Sequence, residues 1–284
     1  MKALCHLALL SSALGAVLLL SSCSKAERDT PTPAVSSADE QRTAAFGSYV
    51  QAAYDDALRL AGEVQHSVQA SATAAPVTTS CAQVTVDRTA RVITLDFGTS
   101  GCTGADGRVR KGRISATYQG DYQAVGSQTT VTFTNYSVDN NVLSGSVALS
   151  GASRNAAGNL QFSVAIANGS LTLADGSGTL LADVARTTEW TAGSGTATVQ
   201  DDAFTIGNAG TITWRNGTAY TLSTPTPLLV QGACFSQGIV YPVSGALAFK
   251  AAAKPAFGID YGAGGCDKTA TLTVGPSSQT ITLP

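Results

Sequence analysis

Leu160, Phe162, Val164 and Ile166 alternate with Gln161, Ser163, Ala165 and Ala167, and this period of two recurs along most of the chain. Leu143, Gly145, Val147 and Leu149 repeat it against Ser144, Ser146, Ala148 and Ser150. Successive side chains of a strand point to opposite faces, so such runs describe strands buried on one side, as antiparallel sheets allow. Parallel strands would need long, usually helical crossovers between them. No helical period separates these runs, so a parallel sheet is excluded. About fourteen short strands can be read from Cys81 to the end of the chain.

Turn residues punctuate the strands. Asn168-Gly169 and Asn216-Gly217 read as tight hairpins, and Asp106-Gly107 and Asp175-Gly176 as turns. Between Val131 and Phe133 on one side and Tyr136 and Val138 on the other, the apolar phase slips by one residue. A bulge near Asn135 accounts for the slip. The fold class that follows is mainly β. Residues 81–284 are expected to form a single antiparallel domain, a meander making a curved sheet, a sandwich or an incomplete barrel.

One upstream segment changes period. Phe46, Val50, Ala53, Ala57, Leu60, Val64 and Val68 recur at spacings of three and four, giving one apolar stripe of an amphipathic helix. Ser37 and Glu40 fit a capping box at its start, and Pro76 bars its continuation. The helix is predicted over residues 37–72. Helices of this kind are marginal in isolation, so the stripe is expected to pack against the sheet. His66 lies off the stripe and reads as a solvated surface residue.

The N-terminus carries an address. Met1-Lys2 precedes an apolar run from Ala3 to Leu20, broken only by Cys5, His6, Ser11 and Ser12, and Leu20-Ser21-Ser22-Cys23 is a lipobox. Residues 1–22 therefore read as a lipoprotein signal peptide, with Cys23 as the site of lipid attachment. Acyl chains anchor through about 0.8 kcal/mol per buried methylene, so several chains on one cysteine hold firmly. Residues 23–36, with Pro31 and Pro33, read as a flexible tether. Ser24 is not an inner-membrane retention aspartate, which points to an outer-membrane anchor and a domain facing the periplasm or the cell surface. Removing the signal leaves 262 of 284 residues, with 16 basic against 19 acidic side chains and no basic block. Nucleic acid is therefore not an expected partner.

With Cys5 and Cys23 accounted for, Cys81, Cys102, Cys234 and Cys266 remain. An even number in an exported chain argues for two disulfides, and three pairings are open. One repeat favours Cys81–Cys102 and Cys234–Cys266. Asp96-Phe97-Gly98-Thr99-Ser100-Gly101-Cys102 matches Asp260-Tyr261-Gly262-Ala263-Gly264-Gly265-Cys266, and each copy has a cysteine upstream. Asp96 and Asp260 are candidate cation or ligand contacts, although a turn aspartate bonding nearby amides explains them more simply. No Cys-x-x-Cys occurs and His66 is the one histidine of the mature chain, so no metal and no cofactor are expected.

Several of these stretches taken together resemble a set of uncharacterised Bacteroidota β-rich lipoproteins. They are Leu95-Asp96-Phe97-Gly98 to Cys102-Thr103, Gly107-Arg108-Val109-Arg110-Lys111-Gly112-Arg113-Ile114, Phe133-Thr134-Asn135-Tyr136, Asp201-Asp202, and Ile259-Asp260-Tyr261-Gly262 to Cys266-Asp267. The resemblance covers roughly residues 80–284. It implies an exported β-rich lipoprotein and carries no activity with it.

Catalytic sets are missing from the sequence. There is no Gly-x-Ser-x-Gly elbow, and a Ser-His-Asp triad would have to borrow His66 from the helix. Paired carboxylates are the chemistry hardest to dismiss, since glycoside hydrolysis needs only two acids. Asp201-Asp202, beside Phe204 and Ile206, should place one carboxyl toward the apolar side, as an acid, a ligand contact or a charge guarding a sheet edge. Trp190, Trp214, Tyr118, Tyr136 and Tyr220 read as core or as sugar-stacking faces. The expected function is a non-catalytic, lipid-anchored envelope protein binding glycan or another protein at its surface. The alternatives are a carrier of an apolar ligand and an aspartate-dependent hydrolase. Mass spectrometry of the exported protein should find an N-terminal acylated Cys23, whereas an unmodified Cys23 or a retained signal would remove the anchor.

Overall fold

The computed structural model describes residues 38–70, 81–121, 124–196 and 198–284; Cys23, the tether and the proposed capping residue Ser37 lie outside them. One helix, α1 (Ala38–Ala70), precedes fourteen strands. These are β1 (Gln83–Asp87), β2 (Val92–Asp96), β3 (Cys102–Thr103), β4 (Val109–Gln119), β5 (Gln128–Val138), β6 (Asn141–Arg154) and β7 (Leu160–Thr172). They continue with β8 (Thr179–Ala192), β9 (Ala203–Trp214), β10 (Ala219–Gln231), β11 (Ser244–Lys250), β12 (Phe257–Ala263), β13 (Thr269–Val274) and β14 (Ser277–Thr282). Apart from β3, which pairs with β4 alone, each strand lies beside its neighbours in sequence, and every pairing is antiparallel. The sheet is an uninterrupted meander that curls into an incomplete ring rather than a closed barrel.

Bulges supply the curl. Asn135 has φ 50° and Gly112 beside it has φ 76°; a β-carbon on Gly112 would lie 2.1 Å from the Asn135 carbonyl oxygen. The slip read from the sequence is this bulge, and the registers of β4 with β5 and of β5 with β6 both shift there. Two strands further on, Asn168 (φ 51°) and Gly145 (φ 90°) repeat the arrangement. The sequence expectation of a hairpin at Asn168-Gly169 is therefore corrected. The pair sits inside β7, where Asn tolerates the left-handed conformation as well as it would in a turn, and the result is a bulge. Asn216-Gly217 does close the hairpin between β9 and β10, with the Trp214 amide donating to the Thr218 carbonyl at 2.9 Å.

The bent sheet surrounds α1. The helix touches β2, β4 to β8 and β12 to β14, and from Glu40 to Gln69 no residue is exposed. A single amphipathic stripe was the sequence expectation. The stripe residues Val50, Ala53, Ala57, Leu60, Val64 and Val68 are buried, but so are Thr43, Ser48, Gln51, Asp56 and Gln65 around them. Most of those polar groups are matched by the sheet, whereas Gln51 donates to the Gly47 carbonyl of its own helix and its side-chain oxygen has no partner. Trp214 Nε1–H donates to Thr43 Oγ1 at 2.9 Å, Ser48 and Tyr261 share a hydroxyl bond of 2.6 Å, and Thr129 donates to Gln65 at 2.9 Å. The Tyr54 hydroxyl bonds the Ser144 and Ser170 carbonyls beside the second bulge.

At mid-helix lies a knot of charge. The Asp56 carboxylate accepts from Arg110 at 2.7 Å, from Arg108 at 3.2 Å and from Arg59 at 2.6 Å, and its side chain has no exposure. Asp106 grips Arg110 with both oxygens, at 3.0 and 2.6 Å, and Asp139 takes Arg108 at 3.1 Å. Burial by itself would push the Asp56 carboxyl up. The guanidiniums of Arg110, Arg59 and Arg108 outweigh that and hold it well below the usual carboxylate range. Removing one partner from such a buried set strands the others without a counter-charge. Asp56→Ala should lower unfolding free energy by about 3–5 kcal/mol in urea titrations; a loss under about 1 kcal/mol would mean that the knot is dispensable.

Candidate functional site

Toward its C-terminal half, α1 stops filling the ring. A cavity of about 340 Å³ opens between Leu58, Gly62, His66 and Ser67 of the helix and the inner faces of β5 to β10. Its apolar wall is Leu149, Phe162, Val164, Trp190, Phe204, Ile206 and Val230, which alternate inward along their strands with the period seen in the sequence. Phe235 and Val240 complete the wall. Phe235 belongs to a short 3-10 turn, Gly232–Gln237, which the Cys234–Cys266 disulfide joins to the loop after β12. A second 3-10 turn, Val199–Asp201, contributes Val199.

Asp202 stands where that turn enters β9, and it is 8% exposed. Its backbone is held on both sides, with its amide donating to the Val199 carbonyl at 3.2 Å and its carbonyl accepting from Gly232 at 2.8 Å. The Trp190 indole N–H donates to its carboxyl oxygen Oδ1 at 3.1 Å. Gly193 permits the close packing, because a β-carbon there would sit 2.2 Å from that oxygen. Burial pushes the Asp202 carboxyl up to about 7; the Trp190 hydrogen bond opposes the rise, and the charges of Asp201 and Glu63 add to it. Nearby, Thr188 is 5% exposed, borders the cavity, and its hydroxyl has no hydrogen-bond partner.

The helix brings charge to the same cavity. Arg59 is bound by Asp56 and Glu63 and lies over the Phe235 ring, 5.0 Å from its centroid. Asp55 is bound by Arg186. A cavity with apolar walls, one carboxyl free of any basic partner and a free hydroxyl can hold a small amphiphile. Asp201 turns away from the cavity and accepts from Thr196 at 2.9 and 3.1 Å, so the Asp201-Asp202 pair of the sequence does not converge on it.

The other aspartates singled out in the sequence lie elsewhere. Asp96 accepts from the Gly98 amide at 2.9 Å and from Arg113 at 2.7 Å, and Asp260 accepts from the Gly262 amide at 2.7 Å. Asp96 ends β2 and Asp260 lies within β12; each carboxylate bonds the amide two residues on, each is followed by a buried aromatic ring, Phe97 or Tyr261, and neither lines the cavity. Cys81–Cys102 and Cys234–Cys266 are the disulfides, as the repeat favoured. Two expectations are corrected. His66 is half-buried and lines the cavity instead of facing solvent, because the sheet wraps the helix on every side. Asp202 guards no edge, since β9 is paired on both sides. Trp190, Trp214, Tyr118, Tyr136 and Tyr220 are all buried, and of the five Trp190 lines the cavity.

Sequence reasoning missed Glu63, Arg59 and Thr188. Thr188 did carry a signal, being in phase with Trp190 and Arg186 on a strand whose inward positions are otherwise Leu180, Ala182 and Val184. Comparison with protein-family models, curated proteins and solved structures finds no match for this chain.

An unfolded aspartate ionises near pH 4, whereas Asp202 in the folded protein keeps its proton to about 7. Folding therefore takes up a proton in that window, and stability falls as pH rises through it, by on the order of a few kcal/mol. Asp202→Asn should resist denaturant better than the wild type at about pH 8, with the gap closing by about pH 4. A gap independent of pH would show that Asp202 does not titrate as its surroundings imply.

Proposed function

We propose that this protein is a lipid-anchored, non-catalytic envelope protein that carries a small, largely apolar molecule between α1 and the sheet. The cavity of about 340 Å³ carries the reading. Its size and its largely apolar lining fall in the range of small-molecule pockets, about 300–1,000 Å³. The construction of its rim supports the same reading, because a disulfide and two short turns hold Phe235 and Val199 in place without filling the space. A surface module for glycans has less support, since the aromatic residues that would serve it lie in the core. The anchor is taken from the lipobox, and no described helix is long and apolar enough to cross a membrane.

A neutral fluorescent dye such as N-phenylnaphthylamine reports the cavity directly. The full chain should bind it with one-to-one stoichiometry and enhanced emission. Val164→Trp, which fills the space from β7, should abolish binding while the thermal midpoint stays within a few degrees. Equal binding by the filled variant, if folded, would place the dye elsewhere and end the carrier reading. If that variant unfolds, Val230→Phe applies the same test from β10.

A further inference from the structure

The polar end of the cavity specifies what its occupant carries. Asp202 presents a buried carboxyl that accepts from a neutral donor, the Trp190 indole, and among the described residues no arginine or lysine is bonded to it. Every other acid on the helix side is answered: Asp55 by Arg186, Asp56 by three guanidiniums, Glu63 by Arg59. A buried carboxylate without a cation is costly, and a buried hydroxyl without a partner is too. Asp202 and Thr188 supply both defects at one cavity. The rings of Phe162, Trp190 and Phe204 line the same space, and a cation gains from aromatic faces as an anion does not.

We propose that the occupant is an amphiphile with a cationic amine head, and that Asp202 is its counter-ion, with Thr188 offering a second hydrogen bond. This deepens the carrier reading and rests on it. Such a ligand brings the one charge the site lacks, while its apolar part meets Phe162, Val164 and Ile206. A carboxylate head would instead meet Asp202 and Glu63, and the one arginine or lysine among the lining residues, Arg59, is already held by Asp56 and Glu63. Binding of an amine should also respond to pH, since the ammonium pairs with the ionised carboxylate and Asp202 must release its proton to solvent as it binds. The groups that bear on this from the packed elements are Asp201 on the adjoining turn, and Glu63, Arg59 and His66 on α1.

Three probes with one tail separate the possibilities: octylamine, octanol and octanoate, titrated calorimetrically into the full chain. At about pH 8 octylamine should bind at least ~10-fold more tightly than octanol or octanoate, and its affinity should fall roughly 10-fold or more by about pH 5.5. Asp202→Asn preserves shape and the acceptor for Trp190, and should erase both the amine preference and the pH response. Thr188→Val, equally shape-preserving, should weaken octylamine a few-fold. Tightest binding of octanoate, or an amine preference that survives Asp202→Asn, would overturn this inference and leave the carrier reading standing. Failure of all three probes, together with failure of the neutral dye, would overturn the carrier reading itself.

Discussion

Hydrophobic burial has no direction, and a helix enclosed on all sides cannot be oriented by it. Turning α1 about its axis would exchange one buried face for another at little cost in apolar area. What forbids the rotation is polar: Asp56 must meet Arg108 and Arg110 of the β4 region, Tyr54 must reach the carbonyls of Ser144 and Ser170, and Thr43 must meet Trp214. Each of these is a buried group that loses its partner if the helix turns. The charge knot is the strongest of them, because a carboxylate and three guanidiniums have no other place inside the ring to go. Rotation of the helix then decides that Gly62, His66 and Ser67 face the cavity.

The enclosure itself depends on backbone defects placed in register. A flat fourteen-stranded meander would expose one whole face. Bulges bend strands and increase twist, and here the Gly112/Asn135 and Gly145/Asn168 pairs lie on successive strands, so the bends add. The curled sheet closes around a helix about 50 Å long, judged from its 33 residues. Where α1 carries Phe46, Tyr49 and Tyr54 it fills the ring, and these rings pack against Trp214, Tyr241 and Phe133. Where it carries Gly62 and Ser67 it does not, and the space left over is the candidate site.

Most buried polar groups of the core are matched; the Gln51 side-chain oxygen and the Tyr136 hydroxyl are exceptions away from the cavity, and the Thr188 hydroxyl is one on its wall, where the Asp202 carboxyl meets a neutral donor. Local departures of this kind concentrate where a protein acts on something other than itself, because the missing partner arrives with the ligand.

The sequence by itself determined the class of fold. Strict alternation in Leu143–Leu149 and Leu160–Ile166, without intervening helices, admits only an antiparallel meander, and the slip at Asn135 located a bulge, because side-chain facing is a local property of the backbone. The disulfide pairs were legible for a similar reason, since Asp-aromatic-Gly-x-x-Gly-Cys builds the same local turn twice. What the tertiary structure decided was everything that depends on two distant segments meeting. Asn168-Gly169 is compatible with a hairpin or a bulge, and only pairing with β6 across Gly145 selects the bulge. Asp56 looks like a solvated helix residue until Arg108 and Arg110, more than fifty positions away, are folded onto it. Asp202 needed the helix and β8 around it before it became a buried acid. Period and turn chemistry are written residue by residue, whereas the environment of a charge is made by its neighbours in space.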